Sequence, residues 1–203
     1  MNDLSVAKPP AAGRHRLTAV FLAALLSAVI AVPVAVLWGS FGPQIALAPD
    51  FTLIDQGGRP FTLSKLRGRP VVLFFGYTHC PDECPTTLAR LAKAVRASST
   101  PSDARVAFIT VDPERDSPAT LKRYVRLFDP GFIGLTGSLR TLSPVYAAYH
   151  TARQIDQVDH ERHDYSITHG TTIYYVGRDG SIKGFGQWDD AVAEIVRNLR
   201  SFQ

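Results

Sequence analysis

The sequence predicts an α/β domain, a mixed sheet flanked by helices, carried behind an apolar N-terminal helix. Three observations lead there. Runs of strand length and bulk, Val71 to Phe75 (VVLFF) and Val106 to Val111 (VAFITV), alternate with segments of helical periodicity, as in a sheet that contains parallel strands. Glycine turns flanked by strand-like sequence mark a hairpin on either side of that stretch. Leu17 to Trp38 holds 22 residues without a charge.

The N-terminal stretch, as a helix, would be about 33 Å long and could cross a bilayer core. Pro33 lies within it, which a membrane helix tolerates, and Trp38 stands where an interfacial anchor is expected. Lys8, Arg14 and Arg16 precede it, so the positive-inside rule keeps the N-terminus in the cytoplasm and sends the rest across, to the periplasm or an equivalent space. A cleaved signal peptide is the competing reading, with Ala46-Leu47-Ala48 as its small-x-small site. The apolar run exceeds a usual signal core, which favours an uncleaved anchor, and either reading exports the domain. The expected division is a cytoplasmic arm at 1–16, a transmembrane anchor at 17–39, a linker at 40–50 and a folded domain at 51–203.

Within the domain, Phe51 to Phe61 reads as strand, Gly-Gly turn and return strand. Val71 to Phe75 reads as a central strand buried on both faces. A loop with both cysteines follows, and Leu88, Leu91, Ala92 and Val95 recur at helical spacing behind Pro85, which suits a first helical turn. The strand Val106 to Val111 leads through Asp112-Pro113-Glu114-Arg115-Asp116 into a helix from about Ser117 to Phe128. Ser138 to Tyr149 reads as a further helix, and Asp156 to Tyr165 as a polar, charged loop. Thr171 to Val176, a Gly-Arg-Asp-Gly turn and Ser181 to Phe185 read as a hairpin, followed by a helix from about Asp189 to Leu199. Hairpin, βαβ crossover, hairpin and terminal helix is the order of a thioredoxin-like domain.

Composition excludes some functions. Lys8, Arg14, Arg16 and Asp3 lie in the arm, so the remaining chain carries 19 Lys plus Arg against 17 Asp plus Glu, nearly neutral. No dense basic run with interleaved aromatics marks a nucleic-acid face, and nucleic acid is not expected as a partner. Two cysteines cannot make a disulfide-rich scaffold.

Cys80 and Cys84 stand at a strand end and a helix start, each followed by a proline that stiffens the loop. The helix N-terminus favours thiolate, and so metal binding or nucleophilic attack. Two thiolates and an imidazole suit copper(I) and accommodate copper(II); zinc, with water as a fourth ligand, stays open. His169 is the expected third ligand, because it precedes the TTIYYV strand that in this fold lies beside the cysteine loop. His79 adjoins Cys80, but neighbours in an extended loop point apart. His150, His160 and His163 lie in surface-like sequence, and His15 lies in the arm. A local disulfide is the structural alternative for the cysteine pair. Asp112, Glu114, Arg115 and Asp116 read equally as a partner surface or as a capped turn, and Tyr77 and Trp188 as packing.

The segments GYTHCPDECPTTL at 76–88, VDPERDSP at 111–118 and DYSITHGTTIYYVGRDG at 164–180 together resemble the Sco/SenC family of copper proteins. The resemblance covers the domain from about Phe51 to the last helix, and the single anchor. It implies a thioredoxin-like fold and one copper per chain, Cu(I) or Cu(II), held by Cys80, Cys84 and His169. It also implies a metallochaperone that assists assembly of the dinuclear copper centre in cytochrome c oxidase subunit II, with a copper donor before it. The alternative is an extracytoplasmic thiol-disulfide oxidoreductase acting through Cys80 and Cys84. Gly170 departs from the family pattern, which has serine after the metal histidine. A peroxiredoxin is disfavoured, since the threonine expected three residues before the reactive cysteine is Tyr77 for Cys80 and Pro81 for Cys84.

Overall fold

The computed structural model describes residues 46–98, 104–159 and 164–201. The expected anchor lies outside the described residues, and among these no helix is long and apolar enough to cross a membrane.

Seven strands form one sheet in the order β2-β1-β5-β4-β3-β8-β9. β1 (Thr52–Asp55) and β2 (Pro60–Thr62) are the first hairpin, and a 3-10 turn at Leu63–Leu66 leads to β3 (Val71–Gly76). α1 (Glu83–Ala97) crosses to β4 (Arg105–Thr110), and α2 (Pro118–Arg126) crosses to β5 (Ile133–Thr136). β3, β4 and β5 run parallel, with Val72 opposite Val106 and Phe108 opposite Gly134. α3 (Leu139–Ala148) follows, then a separate ribbon of β6 (Arg153–Asp159) and β7 (Asp164–His169), then β8 (Ile173–Val176), β9 (Ile182–Gly186) and α4 (Val192–Ser201). β8 returns antiparallel to β3, with Leu73 opposite Tyr174, and β9 is antiparallel to β8.

Every residue of β3 is buried because both sheet faces are covered. Alternation sends Val71, Leu73 and Phe75 to one face, where Leu142, Tyr146 and Tyr149 of α3 and its C-terminus cover them. Val72 and Phe74 go to the other, under Leu88 and Leu91 of α1, Leu121 of α2 and Ile195 and Leu199 of α4. Ser117 caps α2 and Ser138 caps α3, each side chain accepting from the backbone N–H three residues on.

Two expectations are corrected, and one strand is added. Asp156 to Tyr165 is not a loop: its two ends belong to β6 and β7, which pair from Arg153–His169 to Asp159–Asp164 across an irregular register. The ribbon lies outside the main sheet, so Gln154, Ile155 and Asp156 stay exposed and its strands lack a strong apolar pattern. β5 was not anticipated, because Ile133-Gly134-Leu135-Thr136 is short and broken by glycine. Gly134 fits there because a Cβ would stand 2.9 Å from Leu121 Cβ of the crossing helix. Pro85 lies in the first turn of α1, which begins at Glu83, as expected, whereas α4 begins at Val192 rather than near Asp189.

Candidate metal centre

The parallel strands β3 and β4 both end, at Gly76 and Thr110, on the edge of the sheet where β8 begins. The cysteine loop, the Asp112–Asp116 turn and the segment after His169 therefore meet at one edge, where α/β folds place their sites.

The cysteine loop is fastened to the turn. Asp116, fully buried, accepts from Thr78 N–H at 3.0 Å, Thr78 Oγ1 at 2.5 Å and Thr110 Oγ1 at 2.6 Å. Burial is the largest influence on its carboxyl and pushes the pKa up, against the hydrogen bonds from Thr110 and Thr78. Cys84 lies in the first turn of α1, fully buried, and Cys80 is half-buried in front of it. Gly76 makes the depth of Cys84 possible, since a Cβ there would meet Cys84 Sγ at 2.6 Å.

His169 closes β7, paired in register with Arg153. Its Nδ1 is 2.9 Å from the Gly170 carbonyl, which holds a proton on Nδ1, and its Nε2 faces Cys84 Sγ at 3.6 Å. The edge-on ring of Tyr77 packs against the imidazole at 5.7 Å between centroids. Donor atoms of Cys80, Cys84 and His169 all lie within 4.8 Å of one another. Cys80 and His169, with Tyr77, Asp82, Glu83 and Ile167, line an open cleft of about 540 Å³, and Cys84 lies buried behind it.

The thiols are unequal. Hydrogen bonding from the Cys84 thiol is the largest influence on Cys80 and draws it down to about 4, helped by His169 and by the backbone N–H groups of Cys84 and Asp82, against the cost of burial. The Cys84 N–H stands 3.5 Å from Cys80 Sγ, so the start of α1 supplies part of this stabilisation. Cys84 is pushed up, first by holding that hydrogen bond and then by burial. At neutral pH the reduced pair thus holds one negative charge, outermost on Cys80. Two sulfurs, one of them already a thiolate, and an imidazole nitrogen form a set suited to a soft monovalent ion with few ligands, and copper(I) fits it.

A second group of residues, which sequence reasoning left between two readings or assigned to packing, holds the β6–β7 ribbon to this site. The Arg115 guanidinium lies 3.6 Å from the Tyr165 ring centroid and 5.9 Å from that of Tyr77. Asp112, fully buried, accepts from Arg115 Nε and Tyr165 OH, both at 2.5 Å. Burial and the hydrogen bond to Asp112 push Tyr165 up to about 12. Tyr77 OH accepts from Ile167 N–H at 3.4 Å. Arg153 of β6 donates to the Val111 carbonyl at 2.6 Å and pairs with Glu114 at 3.0 Å. Four acidic and basic residues crowded directly after a buried apolar strand were the available signal.

Other predicted residues fall elsewhere. His79 is exposed and bonds Thr78 Oγ1 at 3.2 Å; it approaches Asp112 and Asp116, both already committed to other donors. His150 is exposed after α3, with a φ of 49°. His15, His160 and His163 lie outside the described residues. Trp188 offers its carbonyl to Thr87 and Arg90 and takes no part in the site.

The SCO1/SenC family model matches residues 42–203. The chain belongs to the SCO1/SenC family. It is 37% identical over 157 residues to the mitochondrial SCO2 homologue of Mus musculus, covering 74% of this chain and 60% of the mouse protein. It thus spans about three-fifths of that relative. An SCO2-like protein of Rickettsia conorii is 33% identical over 159 residues, 78% of either chain. Among solved structures, Bradyrhizobium japonicum ScoI with copper bound is similar at a TM-score of 0.70 and 36% identity, over 78% of this chain and all of that one. The thioredoxin-like reading of the fold agrees with this likeness.

Proposed function

We propose that this chain is a membrane-tethered copper metallochaperone whose Cys80, Cys84 and His169 together hold one copper ion. Its role on this reading is assembly of the dinuclear copper centre of cytochrome c oxidase subunit II, with the folded domain on the periplasmic side of the inner membrane. The observation that carries it is the meeting of donors from distant parts of the chain, with His169 Nε2 at 3.6 Å from Cys84 Sγ. A redox pair alone has no need of that imidazole. The copper bound to the similar Bradyrhizobium japonicum protein supports the choice of metal.

In the roles the site supports, Cys80 receives the ion first, being the more accessible sulfur and already ionised. Cys84 closes the site by releasing its proton, and His169 does so through Nε2, while its Nδ1–H stays with the Gly170 carbonyl. The cleft leaves Cys80 and His169 open to a partner's ligands, so transfer by ligand exchange needs no unfolding.

A second reading, thiol-disulfide exchange, is favoured by the low pKa of Cys80, about 4. The Cys80 thiolate attacks a partner disulfide and displaces one partner thiolate. Cys84 then gives up its proton and attacks the Cys80 sulfur, which leaves a Cys80–Cys84 disulfide and a reduced partner dithiol. Complementation of an oxidase-assembly defect separates the two. Copper delivery predicts that His169→Ala fails as fully as Cys80→Ala or Cys84→Ala. Full activity of His169→Ala beside failure of both cysteine variants assigns the function to thiol exchange.

A further inference from the structure

The edge of the sheet opposite the site is where β3, β4 and β5 begin and β8 ends, at Val71, Arg105, Ile133 and Val176. Exposed Arg67 and Arg69 lie in the loop before β3, Arg105 opens β4, and exposed Arg126 ends the helix that leads to β5. Exposed Arg178 stands in the turn after β8 and donates to the Gly68 carbonyl at 2.5 Å, joining two of these loops. The described acids at this edge are matched: Asp55 pairs with Arg59, Asp129 with Arg96 and Asp179 with Lys183, while Asp50 lies near Arg67. At the site edge the exposed acids are the more numerous: Asp82, Glu83, Asp156, Asp189 and Asp190 are all at least partly exposed, against Arg90 and Arg140, while Glu114 pairs with Arg153 and Arg115 with Asp112. A nearly neutral domain is therefore basic at one end and acidic at the other.

The chain joins the domain at the basic end. The Ala46 carbonyl accepts from Ile182 N–H and Ala48 N–H donates to the Gly180 carbonyl, both at 2.9 Å, and Arg67 lies against Gly180. Only residues 39–45 separate this junction from the uncharged 17–38 stretch, and so few residues reach at most about 25 Å fully extended.

We infer that the basic edge is a lipid-docking surface that takes anionic phospholipid headgroups, so that the copper site points away from the bilayer. The inference rests on the tethered reading above, which keeps this edge within reach of a membrane. Each arginine brought to an anionic surface strengthens docking about 5-fold, within a screening length of about 8 Å at physiological salt. The acidic site edge is repelled by the same surface, and the two effects select one orientation.

The test is amide hydrogen exchange on the full chain in nanodiscs of phosphatidylcholine alone or mixed with phosphatidylglycerol. Docking predicts slower exchange at 66–70 and 177–181 in the anionic discs only, unchanged exchange at 79–84, and loss of the effect in high salt. It also predicts loss of the effect in an Arg67→Gln/Arg69→Gln/Arg126→Gln variant whose near-ultraviolet circular dichroism matches the parent. Equal exchange in both lipids overturns the inference and leaves the basic edge to an acidic protein partner; slowing at 79–84 instead reverses the orientation and overturns it equally. If the chain does not insert into the discs, the tethered reading fails. Salt-sensitive slowing at 66–70 on added anionic vesicles would then sustain the docking surface by itself, and its absence there would overturn it.

Discussion

At the last residue of β3, a Cβ would occupy the place of Cys84 Sγ, so the position of the buried thiol depends on Gly76 having no side chain. Gly76→Ala forces Cys84 or Phe108 to shift, since both lie within 2.8 Å of the added carbon. Overpacking of this kind costs about 1–3 kcal/mol, so thermal unfolding should move down and copper(II) charge-transfer absorption should weaken together. The cysteines themselves were legible in the sequence, because soft sulfur ligands four residues apart at a strand-to-helix junction announce their chemistry. Gly76 was not, because its requirement is set by a side chain eight residues away that only the fold brings back against it. The division of labour between the thiols was equally hidden. In the reduced, metal-free protein, alkylation of Cys80 should keep its full rate until pH falls to about 4, because a lowered pKa leaves the thiolate populated at every pH above it. Cys84→Ala removes the largest cause of that shift, so the midpoint of the rate profile should rise toward about 8.5. A midpoint unmoved by Cys84→Ala would give the credit to α1 and His169 instead.

The ribbon of β6 and β7 brings His169 to the cysteines, and it does so from outside the main sheet. Its hold is the buried Asp112, which both Arg115 and Tyr165 engage, with Arg153 reaching back from β6 to the end of β4. The sequence concealed this element: a polar ribbon lacks the apolar alternation that betrays a strand backed by a core, and its charges read as loop. Tyr165→Phe leaves the stacked ring in place but removes the donor to Asp112 Oδ1, a loss of about 1–3 kcal/mol for a buried acceptor. Copper release from the variant, followed with a chelator, should be several-fold faster, and exchange of the Ile167 to His169 amides should quicken. The Cys80 alkylation midpoint should rise only slightly, because the Cys84 thiol rather than His169 is the largest influence on it. A rise as large as that in Cys84→Ala would show that the ribbon supports the cysteine loop as well as His169.

For the whole molecule, the order of elements was readable because β3 and β4 are continuous apolar runs and α1 is plainly periodic. The place of β8 beside the cysteine loop was expected from the fold, but the insertion of β1 beside β5 came only from the structure, since pairing between distant segments leaves little local trace. That topology places the cysteine loop, the Asp112–Asp116 turn and His169 on one edge and a row of arginines on the other. A domain so arranged presents Cys80 and His169 in an acidic, open cleft, with Cys84 buried beneath and the chain junction at the opposite edge. The measurement that tests the central claim most directly is X-ray absorption with metal analysis on the copper(I)-loaded protein and on His169→Ala. The account predicts one copper per chain with two sulfur neighbours and one nitrogen, and loss of the nitrogen together with weaker retention in the variant. An identical spectrum and undiminished retention in His169→Ala would contradict it, and would leave Cys80 and Cys84 as a thiol pair without a third ligand.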